Sequence, residues 1–153
     1  MAEYTRLQLT PELHSKINNA LAEKHPLVLA VVDATGQPHL SFRGSLQTYS
    51  DTQLGVWLRH SQGNTIEAIR QNPQVALIYR SETTPLLQLH GRARIATDAA
   101  ERERVFTAAP EVERKADPER KGVAIIIELT RIEGVLGFGP DGPIWCRMAA
   151  DVS

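Results

Sequence analysis

The stretch LGVWLRHSQGNTIEAIRQNPQVALIYR, Leu54 to Arg80, decides the fold. It reads as a strand from Leu54 to Arg59, a short polar loop, a helix from Asn64 to Asn72 and a second strand from Val75 to Arg80. The helix carries its own limits. Asn64 is placed to cap the first-turn amides, and Glu67, three residues on, to complete a capping box. Asn72-Pro73 stops it, because the residue before a proline is pushed out of the helical region. A helix that follows a polar, glycine-containing loop at a strand end presents free N–H groups and the positive end of its dipole. That is a place for an anion, with phosphate the natural occupant; the competing reading is a capped helix that binds nothing.

Working outward toward the amino end, Leu27 to Val32 is a continuous apolar run, expected as a strand buried on both sides. Asp33-Ala34-Thr35-Gly36 is turn chemistry, and Pro38 to Arg43 resumes as the hairpin partner. Gly44 to Thr52 is mixed and polar, a strand end with a second turn around Ser50-Asp51. Further upstream, Thr10-Pro11-Glu12 opens a helix that carries Leu13, Ile17, Ala20 and Leu21 on one stripe and closes at His25-Pro26.

Toward the carboxyl end, Thr83-Thr84-Pro85 breaks the chain. Leu87, Leu89, Ala93 and Ile95 then alternate with Gln88, His90, Arg92 and Arg94. This predicts a long strand with one apolar face, its polar face turned to water, to a charged ligand or to a partner subunit. Asp98 and Glu101 open another helix, which turns Val105 and Phe106 inward and ends before Pro110. Glu111 to Lys121 reads as a solvent-facing connector and Val123 to Val135 as a long strand. Gly137 to Pro143 reads as a turn, and Ile144 to Met148 as a short last strand. Six or seven strands at hairpin spacing, with three short helices, predict a mainly antiparallel barrel covered by helices. One domain spans residues 1–153, with the amino-terminal helix at about 10–25 and the barrel at about 27–148.

A net charge of −1 and 5% aromatic residues argue against a nucleic-acid module, which needs a basic face and stacking rings. Cys146 is the single cysteine, so no internal disulfide forms, and a cytoplasmic setting is expected. It follows Trp145 in an apolar strand and reads as an inert core thiol. The amino end lacks a signal-peptide pattern, and no apolar run is long enough to cross a membrane. His14, His25, His39, His60 and His90 are scattered without metal-ligand spacing, so no metal site is expected. The chain has no Walker loop, no dinucleotide fingerprint, no Cys-x-x-Cys and no nucleophile elbow. Any chemistry would then belong to a bound cofactor.

The ordered set from Leu27 to Leu77 resembles the FMN-binding split-barrel family related to pyridoxamine 5'-phosphate oxidase. It comprises the apolar strand, Gly36-Gln37-Pro38-His39, Ser41-Phe42-Arg43, Val56-Trp57-Leu58-Arg59, the polar loop and helix, and Asn72-Pro73-Gln74-Val75-Ala76-Leu77. The likeness continues through His90-Gly91-Arg92-Ala93 and, more weakly, Thr130-Arg131-Ile132-Glu133-Gly134. It implies a homodimer of antiparallel split barrels with FMN at the subunit interface. Ser41, Phe42, Arg43, Leu58, Arg59, Gln62, Gly63, Asn64 and Thr65 would then hold the phosphate and ribityl chain. Arg43 or Arg59 would supply the forked positive charge, and Gly63 a close backbone approach. Gln88 would reach the flavin ring of the other subunit.

The departures from the family carry information too. Asn64-Thr65 stands where the oxidase has an Arg-Lys pair, and the oxidase's carboxyl-region tryptophan and Arg-x-His have no counterpart. The resemblance therefore implies an FMN-dependent oxidoreductase that passes a hydride to or from a small molecule other than pyridoxamine phosphate. No residue stands out as the catalytic acid or base. A deazaflavin coenzyme is the alternative cofactor. The alternative functions are a non-catalytic flavin, deazaflavin or haem binding protein and a structural dimer without cofactor.

Overall fold

The computed structural model describes residues 3–60 and 63–153. Its spine is β8 (Val123–Gly139), a strand long enough to serve two neighbours in succession. One edge of β8 pairs from Ala124 to Val135 with antiparallel β7 (Leu86–Ala96). On the other edge, Val123 to Glu128 pair with β5 (Gln53–Leu58), and Arg131 to Gly139 pair with β9 (Gly142–Ala149). At the fork, Leu129 N donates to Thr52 O and Ala150 N to Thr130 O, both at 2.9 Å. Beyond β5 lies β4 (Gln47–Ser50), and beyond β9 the two-residue parallel strand β1 (Thr5–Arg6). Beyond β7 follow β6 (Gln74–Arg80), β2 (Val28–Val32) and β3 (Pro38–Phe42), all antiparallel. The pairing does not close into a ring: β3 and β4, consecutive in the chain, form the ends of separate branches. This is a split barrel, the fold class the sequence predicts. The nine strands among the described residues exceed the expected six or seven, chiefly because β1 and β4 are too short and polar to show a period.

The apolar pattern explains the layers. Leu29, Val31, Val75, Leu77, Tyr79, Leu87 and Leu89 alternate inward and share one core with Leu13 and Ile17 of α1 (Pro11–Asn18) and Ile66 and Ile69 of α2 (Asn64–Gln71). The run Ala124-Ile125-Ile126-Ile127 is fully buried because both of its faces are covered. Ile125 and Ile127 join the barrel core, while Ala124 and Ile126 meet Val105 and Phe106 of α3 (Ala99–Ala108). Trp57 and Leu58 divide the same way: Leu58 enters the barrel core, and Trp57 packs edge-on against Phe106, ring centroids 5.0 Å apart.

Several local expectations are corrected. β2 is not buried on both sides: Leu29 and Val31 join the barrel core, but Val28, Ala30 and Val32, on the opposite face, stay half-exposed. α1 stops at Asn18 rather than at His25-Pro26; the Asn18 carboxamide accepts from Thr48 N and that of Asn19 donates to Ser15 O, diverting the chain into turns. Gly63, not Asn64, is the N-cap of α2, and the capping box does not form; Glu67 lies near Arg70 and Gln71 instead. The connector after Pro110 contains a fourth helix, α4 (Glu111–Lys115). The glycine-rich turn shrinks to Pro140-Asp141, since Gly137–Gly139 and Gly142–Pro143 continue the ladder. Among the described residues, no helix is long and apolar enough to cross a membrane.

Candidate anion site at the start of α2

Arg43 leaves the end of β3 with its backbone fixed, its N–H donating to Leu27 O at 2.9 Å. Its side chain runs toward the start of α2, where Nη2 donates to Thr65 Oγ1 at 2.8 Å. The Nε atom beside it is buried and has no partner among the described residues. An orphaned guanidinium N–H is costly to leave unmet. Burial, and next the charge of Arg59, push the Arg43 pKa below its ordinary value, while Glu113 acts in the opposite sense.

The second arginine is brought near by a clasp between two segments. Ser45 is buried; its Oγ donates to Trp57 O at 2.8 Å and accepts from Trp57 N at 3.0 Å. This holds the turn after Arg43 against β5, so that Arg59, just past β5, opens on the same cleft of about 80 Å³. Phe42, Gly44, His60 and Glu113 complete the lining. Arg59 Nε stands 4.0 Å from Glu113 Oε2. The indole of Trp57 reaches α4's far end, donating from Nε1 to Asp117 Oδ2 at 2.8 Å. Asp117 also accepts from Lys121 N and Gly122 N; burial would raise its pKa, but these three hydrogen bonds outweigh it and hold the carboxyl below its usual range.

α2 meets the site through Thr65, which accepts from Arg43, and has no side-chain cap at Gly63; its first residues do not themselves line the cleft. Gly63 has φ −80°, and a Cβ there would meet nothing closer than 3.5 Å, so no steric demand requires glycine. An uncapped helix start beside an unsatisfied guanidinium is a donor set for one phosphate-sized anion.

The other sequence-named residues fall in distinct places. Ser41 is half-buried and pairs with inward-facing Leu29; Leu58 is in the core and has only backbone to offer. Asn64 lines a separate groove with Asp33, His39 and Gln71. Gln88 is on the outer face of β7, its Nε2 2.8 Å from His90 Nε2. It shares a lateral row with Ile78, Val28 and Phe42, three strand spacings or about 14 Å from Phe42. Within one protomer Gln88 therefore stays away from the cleft. Gln62 lies outside the described residues. Sequence reasoning missed Ser45, Glu113 and Asp117, because nothing local links them to Arg43.

His14 is held by Thr48 Oγ1 and Asp51 Oδ1, both at 2.8 Å, and His39 by Asp33 Oδ2 at 2.8 Å. The Asp33 carboxyl is held well below its usual range, chiefly by the Thr35 hydroxyl and then by His39. These contacts pin a helix and a hairpin turn. No group of three potential metal ligands occurs among the described residues. Cys146 is buried, and burial raises its pKa, as an inert thiol requires.

The family model described as pyridoxamine 5'-phosphate oxidase matches residues 13–134. No curated protein matches the chain. Among solved structures, HupZ of Group A Streptococcus is 25% identical, with a TM-score of 0.61 over 81% of this chain and 91% of that one. An FMN-binding protein from Syntrophomonas wolfei is 11% identical, with a TM-score of 0.62 over 79% and 84%. A Clostridium acetobutylicum protein related to general stress protein 26, of the pyridoxinephosphate oxidase family, is 12% identical, with a TM-score of 0.62 over 91% and 96%. The last two likenesses establish the shared fold.

Proposed function

This chain belongs to the pyridoxamine 5'-phosphate oxidase family, and on that premise we propose that it is an FMN-dependent oxidoreductase acting on a small molecule other than pyridoxamine phosphate. The observation that carries the proposal is the buried Nε of Arg43, which has no partner among the described residues, beside the start of α2 that carries no side-chain cap. Arg43, Arg59 and the first-turn amides of α2 hold the flavin phosphate, while Thr65 orients Arg43 through its hydroxyl. FMN, when bound, supplies the hydride chemistry; the protein binds and positions it. The likeness to an FMN-binding protein supports this choice of cofactor.

The working unit is a homodimer. Leu40, Phe42, Ile78, Leu86 and Trp145 are exposed apolar side chains on the outer face of one sheet, and exposed apolar side chains gathered on one face suit a protein contact. Pairing that face with a second copy brings Gln88 of the partner subunit toward the ring. Buried Cys146, the single thiol, suits a reducing cytoplasm. A second reading keeps the barrel as a binding protein for flavin, deazaflavin or haem without turnover; a hydroxyl rather than a cation at Thr65 favours it, because the phosphate is held by fewer charges.

Titration of wild-type and Arg43→Ala protein with FMN tests the site. Loss of a charge-assisted contact worth about 1.5–3 kcal/mol weakens binding roughly ten- to a hundredfold. An unchanged dissociation constant removes Arg43 from the site. Reduction of the bound flavin by a nicotinamide donor separates the oxidoreductase from the binding protein.

A further inference from the structure

Glu113 brings a negative charge into a cleft otherwise built for an anion. Its side chain is only 22% exposed, it lines the cleft with Arg43 and Arg59, and its Oε2 stands 4.0 Å from Arg59 Nε. The opposite wall is shaped to admit it: a Cβ on Gly44 would lie 2.6 Å from Glu113 Oε1. α4 is positioned from behind, through the hydrogen bond of Asp117 to Trp57 and the turn that binds Lys121 and Gly122. The carboxylate is therefore delivered to the cleft by packing, and is not a surface side chain that happens to lie nearby.

Two guanidinium groups and one carboxylate give the cleft one net positive charge. A phosphate dianion entering beside Glu113 would reverse that sign and share the cleft with a like charge, which is unfavourable. Building on the reading of this cleft as a phosphate site, we propose that Glu113 is an internal counter-anion of the Arg43–Arg59 pair that an incoming phosphate must displace. Glu113 thereby sets how tightly the phosphate is held. It makes the flavin exchangeable, where an unopposed arginine pair would retain it. The alternative role, a carboxylate that steadies Arg59 for phosphate, predicts the opposite sign on substitution.

Titration calorimetry of wild-type, Glu113→Gln and Arg43→Ala proteins, with FMN, riboflavin and inorganic phosphate as probes, decides the matter. The amide keeps the size and removes the charge. Glu113→Gln should bind FMN and inorganic phosphate at least about threefold tighter, with riboflavin, which lacks the phosphate, unchanged. FMN affinity that is unchanged or weaker in Glu113→Gln, while the wild type still binds FMN and Arg43→Ala weakens it, overturns the proposal alone. A riboflavin shift as large as the FMN shift also overturns it, since the effect then concerns packing. If wild type and Glu113→Gln both fail to bind FMN and phosphate, the phosphate-site reading falls together with the proposal.

Discussion

Asp117 ties α4 and the chain after it to the sheet: its carboxylate accepts from the Trp57 indole, Lys121 N and Gly122 N, and it is one of only two polar residues among the buried side chains described. Asp117→Ala leaves these donors unmet, at a cost of about 1–3 kcal/mol, checked by chemical denaturation. The pH dependence follows from the lowered pKa. A carboxyl with a depressed folded value contributes stability above its unfolded pKa of about 3.9 and loses it as the pH falls through the folded value. Wild type should therefore lose stability below about pH 4, and Asp117→Asn should show less of that loss while being weaker at neutral pH. A variant with the same acid slope as wild type would contradict this. At this scale the sequence exposes little. Arg43 and Thr65 can be named because they flank a readable strand and helix, whereas Glu113 and Asp117 sit in a charged segment that looks solvated until α4 folds it back against Trp57 and the cleft.

Among elements, β8 shows what can be read and what cannot. Its first half announces double burial through an unbroken apolar run, and its second half carries Ile132 among polar neighbours. The change from a two-faced to a one-faced pattern corresponds to the fork between β5 and β9. Gly134 lies on the second half with φ +154°, where a Cβ would approach Leu86 O to 2.0 Å. Gly134→Ala should therefore destabilise the fold by about 2 kcal/mol or more, seen as a lowered denaturation midpoint; an unchanged midpoint would mean that β7 and β8 separate freely there. The long strands and α3 follow directly from period and capping chemistry, since Asp98 does accept from Glu101 N at 3.0 Å. The cap of α2 is not fixed by composition, since Gly63 and Asn64 stand one position apart and both residue types are accepted at an N-cap. β1 and β4 depend on distant partners and leave no local period.

For the whole molecule, Leu40, Phe42, Ile78 and Trp145 are exposed apolar side chains on one outer face of the sheet. If this face joins two copies, sedimentation should give a dimer for wild type and a monomer for Phe42→Asp combined with Ile78→Asp. The monomer should also lose flavin affinity, because Gln88 of one protomer lies too far along its own sheet to serve its own cleft. A wild-type monomer with full flavin affinity would contradict the shared site. The class of barrel was legible from strand spacing and the ordered residues between Leu27 and Leu77, but the branching at β8 was not, because a fork is set by which edges meet. The measurement that tests the central claim most directly is the visible absorption spectrum of the purified protein before and after addition of FMN. A flavin spectrum should travel with the protein, either as isolated or after FMN is supplied. A colourless protein that takes up no added FMN would contradict it.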